Sequence, residues 1–265
     1  MNILPGSPKT PGFLKRTYVD WSWEVAYQYG PEGLTYRLSR GPEETLFLKL
    51  ARHGCFPSLE DEVVRMSWAN EYLPVPRVVD QGSDGHVGWF ITEGLPGCDA
   101  TDPALVADPR ALVPILASGL RAFHEAPVEE CPFDFRLDRA LAHARGRLEE
   151  GRIDPKRDFH AEFGHLSAGE AIEQLELMRP DSERLVVCHG DYCLPNVLIE
   201  SGMTTGFVDL GELGVADRWW DLAVATWSVT WNLGPGYEDL FLQEYGIERE
   251  LDRVDFYRLL YDVVS

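Results

Sequence analysis

The chain has 265 residues, a formal net charge of −20 and 45% hydrophobic residues, which fits one large domain or two small ones. So acidic a chain argues against nucleic acid and anionic membranes as partners and suits a cationic ligand, although acidity also serves solubility alone. No apolar run reaches the ~18 residues of a membrane span, and no secretory signal opens the chain. The five cysteines are irregularly spaced, which indicates reduced thiols. We therefore expect a cytoplasmic protein.

The first third of the chain has the composition of β-strands. Short runs rich in Tyr, Val, Leu and Phe are separated by Gly and Pro; they are EVAYQYG, LTYRLSR, TLFLKLAR, LPVPRVVDQG and VGWFITEG. Between the third and fourth runs, SLEDEVVRMSWANEYL predicts a helix, with Ser58 as its N-cap and Asp61 three residues later. Residues 94–98, GLPGC, have the chemistry of a turn and predict a hinge.

The rest of the chain alternates helical segments with a small group of strands. Apolar residues recur at helical spacing in PRALVPILASGLRAFHEA, DRALAHARGRLEEG, SAGEAIEQLELMR, RWWDLAVATWSVTWNLG and LDRVDFYRLLYDVV. The runs RLVVCHGD, NVLIE and GFVDL predict strands. We therefore predict an α+β fold with a β-rich nucleotide-binding lobe at 1–93, a hinge at 94–98 and a mainly helical catalytic and acceptor-binding lobe at 99–265.

Three polar side chains surround a predicted hairpin. Asn196 precedes the outgoing strand, Asp209 ends the returning strand, and Asp191 lies in the loop that leads into the hairpin. If the two strands pair antiparallel, Asn196 and Asp209 meet at the same end, with oxygen ligands that suit Mg²⁺. The order H-x-D-x-x-x-x-N, followed by a strand-end Asp-x-Gly, is that of kinase catalytic loops. There the first Asp takes the proton of the attacking hydroxyl, and the Asn and the later Asp hold metal; an ordinary polar turn is the alternative.

Lys49 lies in a strand that is otherwise apolar, so its ammonium needs a partner. On the following helix, Glu62 falls beside the apolar stripe, whereas its acidic neighbours point away. A Lys49–Glu62 pair matches the lysine and glutamate of kinases that position the nucleotide phosphates; a Lys49 that reaches solvent from an edge strand is the alternative. Upstream, Gly30 and Gly33 could form a turn over the phosphates, although hairpin turns commonly carry glycine.

The motifs resemble those of the aminoglycoside phosphotransferases, especially the kanamycin and neomycin 3′-hydroxyl group. The likeness is carried by VVCHGDYCLPNVLI, GFVDLGELGVADRWWDLAVAT and FYRLLYD, and weaker matches extend it over nearly the whole chain. The resemblance implies a protein-kinase-like fold and a drug-resistance activity. In that activity the γ-phosphoryl group of ATP or GTP passes to a hydroxyl of a cationic aminoglycoside, with Mg²⁺ as cofactor. It also implies that the backbone of Glu93 and Gly94 meets the purine.

For the acceptor, the resemblance implies an acidic loop at 154–162, with Asp158 and Glu162 as its carboxylates, and Asp262 from the last helix. The chain departs from the family where Glu212 replaces an arginine and where Trp227 and Trp231 replace charged residues. Tryptophans of this segment either fill the core or line an acceptor pocket.

The reaction class is therefore easier to predict than the substrate. The alternatives are a kinase for another hydroxylated amine or amino-sugar metabolite and a nucleotide-binding pseudokinase that performs no transfer.

Overall fold

A computed structural model describes residues 3–41 and 44–264, and the chain forms two compact units. The first unit comprises Met1–Pro96 and Gly206–Gly211, and the second comprises Gly97–Thr205 and Glu212–Ser265. The first break falls inside the predicted hinge at 94–98, whose role as a hinge stays a prediction. The predicted lobes, 1–93 and 99–265, are consecutive in the chain and so do not include the return of residues 206–211 to the first unit.

The first unit is an antiparallel sheet with the strand order β1-β2-β3-β5-β4 and two helices. Its elements are α1 (Gly12–Thr17), β1 (Ser22–Tyr29), β2 (Gly33–Arg40), β3 (Glu44–Arg52), α2 (Leu59–Ala69), β4 (Val78–Ser83) and β5 (Val87–Glu93). One face of the sheet buries Leu38, Leu48, Leu50, Trp89 and Ile91 in a core cluster. The predicted strands and helix are present, whereas α1 was not predicted.

Strand β3 and helix α2 bring the two charged residues predicted to pair into this unit. In β3, Lys49 stands opposite Thr35 of β2 and Phe90 of β5, so it lies on a central strand and not at an edge. Helix α2 begins after Ser58, whose side chain accepts a hydrogen bond from the Asp61 amide at 3.0 Å, as the sequence predicts. The buried face of α2 includes Glu62 among its apolar residues.

The second unit is mainly helical, with short strands that frame its loops. Its helices are α3 (Pro103–Val106), α4 (Pro109–Phe123), α5 (Leu137–Glu149), α6 (Pro155–Asp158), α7 (Ala168–Met178), α8 (Trp219–Leu233), α9 (Glu238–Tyr245) and α10 (Leu251–Val264). Its strands are β6 (Cys98–Asp99), β7 (Leu185–Cys188), β8 (Val197–Glu200), β9 (Met203–Phe207, whose last two residues belong to the first unit) and β10 (Gly214–Asp217). Helix α8 is buried over most of its length and packs against α9 and α10.

The α+β class is therefore confirmed, with a sheet-rich first unit and a helix-rich second unit. Helices α3, α6 and α9 were not predicted, because two of them have four residues and α9 has eight, too few to show a clear period in the sequence. Within residues 3–41 and 44–264, no helix combines the length and the apolar character needed to cross a bilayer.

Candidate active site

In the first unit, an ammonium group lies between two carboxylates. Lys49 Nζ is 2.8 and 3.0 Å from the two carboxylate oxygens of Glu62, so the predicted ion pair is present. The same Nζ is 2.7 Å from Asp209 Oδ1, because the segment 206–211 returns to this unit after β9. The backbone N–H of Phe207 donates a hydrogen bond to the carbonyl oxygen of Pro74 at 3.0 Å and holds that segment in place.

Burial and neighbouring charges shift the pKa values of Lys49 and Glu62 in opposite directions. Glu62 is only 2% exposed, and its desolvation raises its pKa to about 7 although the neighbouring Lys49 opposes the shift. Desolvation alone would lower the pKa of Lys49, but attraction by Asp209 and Glu62 outweighs it and raises the pKa above the ordinary lysine value. Lys49 therefore keeps its positive charge at neutral pH, in a position fixed by two partners.

In the second unit, Asp191 lies in the loop between β7 and the short helical turn Leu194–Asn196. Its Oδ2 accepts a hydrogen bond from Asn196 Nδ2 at 2.9 Å, and the same amide nitrogen donates to the Asp191 carbonyl oxygen at 3.0 Å. Its Oδ1 accepts from Cys193 Sγ at 2.9 Å and from the Tyr261 hydroxyl at 3.1 Å. The carboxylate predicted to act as a base is thus held through both of its oxygens.

A buried acid on α8 anchors the start of this loop. Asp221 accepts the backbone N–H groups of His189 at 2.7 Å and Gly190 at 2.9 Å, and it is fully buried. Trp220 Nε1 donates to the Gly190 carbonyl oxygen at 2.8 Å, so α8 binds both the N–H and the carbonyl group of Gly190. Sequence reasoning missed Asp221; the available signal was a single carboxylate in a helix that is otherwise almost entirely apolar.

The glycine of this loop is required by its backbone and by its surroundings. Gly190 has a φ of +93°, a left-handed conformation that L side chains rarely adopt. A Cβ at this position would lie 2.5 Å from Glu212 Cβ and 2.6 Å from the Glu212 carbonyl oxygen. Any residue other than glycine at position 190 would therefore displace the loop that carries Asp191.

The structure pairs all three predicted acceptor-binding acids with cationic or ring nitrogen partners in the same unit. Asp158 has a side chain that is 8% exposed, and it lies 2.7 Å from Arg157 Nε and 3.7 Å from Arg147 Nη2. Asp262 has a fully buried side chain that accepts the His160 amide at 2.8 Å and is also hydrogen-bonded to His160 Nδ1.

Glu162 is the most accessible of the three predicted acceptor-binding acids. Its side chain is 43% exposed and lies 3.6 Å from Arg258 Nη1, and it accepts a hydrogen bond from Trp227 Nε1 at 3.2 Å. Asp158 and Asp262 are buried against partners within the chain, and Glu162 is the only one of the three with an exposed side chain.

Aromatic rings surround His160. The His160 ring lies 4.1 Å from Trp227 and stacks on Trp231 at 4.6 Å, measured between centroids. The tryptophans of this segment are Trp219, Trp220, Trp227 and Trp231; the first three are buried in the core, and Trp231 is 53% exposed. The first three tryptophans therefore fill the core, whereas Trp231 lies at the surface against His160, and its place in an acceptor pocket stays a prediction.

The predicted purine contacts have their amide donors occupied. The Glu93 N–H donates to the Arg77 carbonyl oxygen at 3.0 Å, and the Gly94 N–H donates to the Thr45 carbonyl oxygen at 2.9 Å. Contact of these backbones with a purine stays a prediction, in which the carbonyl groups of Glu93 and Gly94 are the candidate partners of the base.

The predicted phosphate-covering glycines lie at the connection between β1 and β2. Gly30, with a φ of +51°, follows β1, and Gly33 is the first residue of β2, opposite Tyr29 and Ala51. This geometry satisfies a hairpin turn, and contact with phosphates stays a prediction.

The residues predicted to hold metal offer hard oxygen donors of the kind that Mg²⁺ prefers. In the second unit, Asn196 turns its Nδ2 to Asp191, and its Oδ1 accepts no hydrogen bond from any residue in the described ranges. In the first unit, Asp209 has a side chain that is 39% exposed and a φ of +64°. The donor chemistry of both residues fits Mg²⁺.

The chain matches the model of a phosphotransferase enzyme family over residues 29–257. It is 38% identical to the aminoglycoside 3′-phosphotransferase of Streptomyces fradiae, over 93% of this chain and 97% of that protein. It is 32% identical to the streptomycin 3″-kinase of Streptomyces griseus, over 90% of each. Among solved structures, an aminoglycoside-3′-phosphotransferase of type VIII superposes with a TM-score of 0.84 at 34% identity, covering 95% of this chain and 96% of that one. These matches confirm the predicted resemblance and the kinase-like α+β fold.

Proposed function

The chain belongs to the phosphotransferase enzyme family, and we propose that it transfers the γ-phosphoryl group of ATP or GTP to a hydroxyl group of an aminoglycoside. The observation that carries this proposal is the Asp191 carboxylate, oriented by Asn196 and Tyr261 in a loop of the kinase spacing. A protein that only binds nucleotide has no need of an oriented base, so the pseudokinase alternative is disfavoured. We also propose that the reaction takes place in the cytoplasm.

In the proposed mechanism, positioning and charge neutralisation do most of the work. The acceptor hydroxyl oxygen forms a bond to the γ-phosphorus, and the bond from that phosphorus to the β–γ bridging oxygen breaks. Asp191 takes the hydroxyl proton, and the nucleoside diphosphate leaves with the bridging oxygen. Lys49, kept charged by Glu62 and Asp209, binds the phosphates of the nucleotide.

Asn196 and Asp209 would hold Mg²⁺. When bound, the ion neutralises the negative charge of the phosphate oxygens. The remaining nucleotide contacts that we propose are the turn with Gly30 and Gly33 over the phosphates and the carbonyl groups of Glu93 and Gly94 at the base, beside a hinge at 94–98.

For the acceptor, the net charge of −20 supports attraction of a polyamine, and Glu162 supplies the proposed direct contact because it is the most exposed of the three predicted acceptor-binding acids. Asp158 and Asp262 act by shaping the loop, since their carboxylates are buried against partners within the chain, whereas that of Glu162 is exposed. A second candidate acceptor is a different hydroxylated amine with fewer positive charges. It is favoured by the same commitment of those two acids, which leaves less unpaired negative charge for a polycation.

A turnover assay on the purified protein tests the proposal. ATP and GTP are each supplied with 4,6- and 4,5-disubstituted aminoglycosides, streptomycin and simple hydroxylated amines. Diphosphate release is measured, and the phosphorylated product is identified by mass spectrometry. We expect release that depends on an aminoglycoside, and expression in a susceptible bacterium should raise the inhibitory concentration of that drug. Turnover only with simple amines would select the second candidate, and nucleotide binding without transfer would select the pseudokinase.

Substitution of the base provides the internal check. Asp191→Asn should lower kcat by about 10²–10⁴-fold while the KM for nucleotide stays within about twofold, because the carboxylate acts on the acceptor proton. Asp252→Asn, at an exposed acid on α10, is the matched control and should leave both constants unchanged. Unimpaired turnover in Asp191→Asn would exclude the proposed base.

A further inference from the structure

Tyr261 lies on α10, outside the loop that carries Asp191 and Asn196, and yet its hydroxyl contacts the proposed base. The Tyr261 hydroxyl oxygen is 3.1 Å from Asp191 Oδ1, although 70 residues separate them in the chain. Asn196 and Cys193 also donate to this carboxylate, but both belong to the same loop as Asp191. The tyrosine therefore ties the carboxylate to a separate helix.

The ring of Tyr261 is held by its neighbours. It lies edge-on to Trp227 at an interplanar angle of 78° and 6.4 Å between centroids, and at the same centroid distance from His160. His160 is in turn fixed by the buried carboxylate of Asp262, the next residue of α10. Since α10 also buries Leu259, Leu260 and Val263, the hydroxyl is presented from a packed element.

The hydroxyl keeps its proton under the conditions of the reaction. Burial raises the pKa of Tyr261 well above the usual tyrosine value, and the negative charge of Asp191 adds to the shift. Tyr261 is thus a permanent donor to the carboxylate and does not compete with Asp191 for the proton of a substrate.

We propose that Tyr261 is a positioning residue for Asp191: its hydroxyl holds Oδ1 while Asn196 holds Oδ2, so the carboxylate cannot rotate away from the reacting hydroxyl. This inference rests on the proposed function. Its physical basis is that a catalytic group contributes most when it is held in a near-attack orientation before the substrate arrives. A carboxylate held only from within its own loop would move with that loop.

The test compares two tyrosines on the same helix. Tyr261→Phe removes the donor and keeps the ring, and it should lower kcat about tenfold because a hydrogen bond to a charged group is lost, while the nucleotide KM stays within about twofold. Tyr257→Phe is the control: the Tyr257 hydroxyl is buried and has no hydrogen-bond partner in the part of the chain that the structure describes. Its kcat should equal that of the wild type.

A double-mutant cycle separates positioning of the base from a merely structural role. In the Asp191→Asn background, measured by single-turnover rates, Tyr261→Phe should cause no further loss, because the carboxylate that it positions is gone. Wild-type kcat in Tyr261→Phe, or an equal loss in both backgrounds, would overturn the proposal. So would a lower kcat matched by a raised nucleotide KM and a lower melting temperature. Failure of the proposed function is distinct, since the wild-type protein would then show no acceptor-dependent turnover.

Discussion

Gly190→Ala should show how closely the catalytic loop depends on the absence of one side chain. Gly190 combines a left-handed φ of +93° with a Cβ position only 2.5 Å from Glu212 Cβ. Gly202, in the turn between β8 and β9, provides the matched control: its φ is +77°, and a Cβ there meets no described atom within 4 Å. The two substitutions share the backbone penalty, and only Gly190→Ala adds a clash.

The magnitudes follow from these two contributions. Alanine in the left-handed region costs about 1–2 kcal/mol, offset by about 0.4–1 kcal/mol from the lower entropy of the unfolded chain, so Gly202→Ala should lower the free energy of unfolding by about 1 kcal/mol. Forcing a methyl group against backbone adds about 1–3 kcal/mol, so Gly190→Ala should cost about 2–4 kcal/mol. The added cost arises because Glu212 is buried and the clash is with its Cβ and carbonyl group, not with the far end of a flexible side chain.

Urea denaturation followed by tryptophan fluorescence measures both variants. Activity gives a second readout, since Asp191 follows Gly190 directly and a displacement of about 1 Å costs about 10²-fold in rate. We expect Gly190→Ala to lose most of its kcat and Gly202→Ala to retain it. Equal stability losses in the two variants, with equal kcat, would refute the steric reasoning.

Three further predictions concern charged groups. Because the pKa of Glu62 is raised from 4.5 to about 7, the folded state binds more protons than the unfolded state between these values, and stability should fall as pH rises through that window. Glu62→Gln should flatten this dependence by up to about 1.4 kcal/mol per pH unit in urea titrations, and an unchanged slope would contradict it. Asp221→Asn places an amide group against the N–H groups of His189 and Gly190, so it should lower the free energy of unfolding by about 2–4 kcal/mol. Thermal or urea denaturation measures this loss, and a loss below about 0.5 kcal/mol would count against Asp221 as the anchor of the loop. The KM for a cationic acceptor should rise with added salt, less steeply in Glu162→Gln than in the wild type, and identical salt slopes would exclude the proposed contact.

The features that depend on local pattern could be predicted from the amino-acid sequence. Alternation and turn residues predicted the strands of the first unit, and the N-cap and apolar phase of α2 predicted that Glu62 faces inward to Lys49. The spacing of Asp191 and Asn196 likewise predicted one loop, where a short stretch of chain brings both side chains together. In each case the groups involved are close in the chain, or their direction follows from a helical or strand period.

The partners that those groups find elsewhere in the chain depend on tertiary packing and could not be predicted from the sequence. Asp158 and Asp262 look like ligand-binding acids in the sequence, but folding brings Arg147 and His160 against them. No pattern in the sequence indicates the hydrogen bond between Tyr261 and Asp191. Partners of this kind lie far apart in the chain, by 102 residues for His160 and Asp262 and by 160 for Lys49 and Asp209. Burial forces each desolvated charge to find a partner wherever packing brings one.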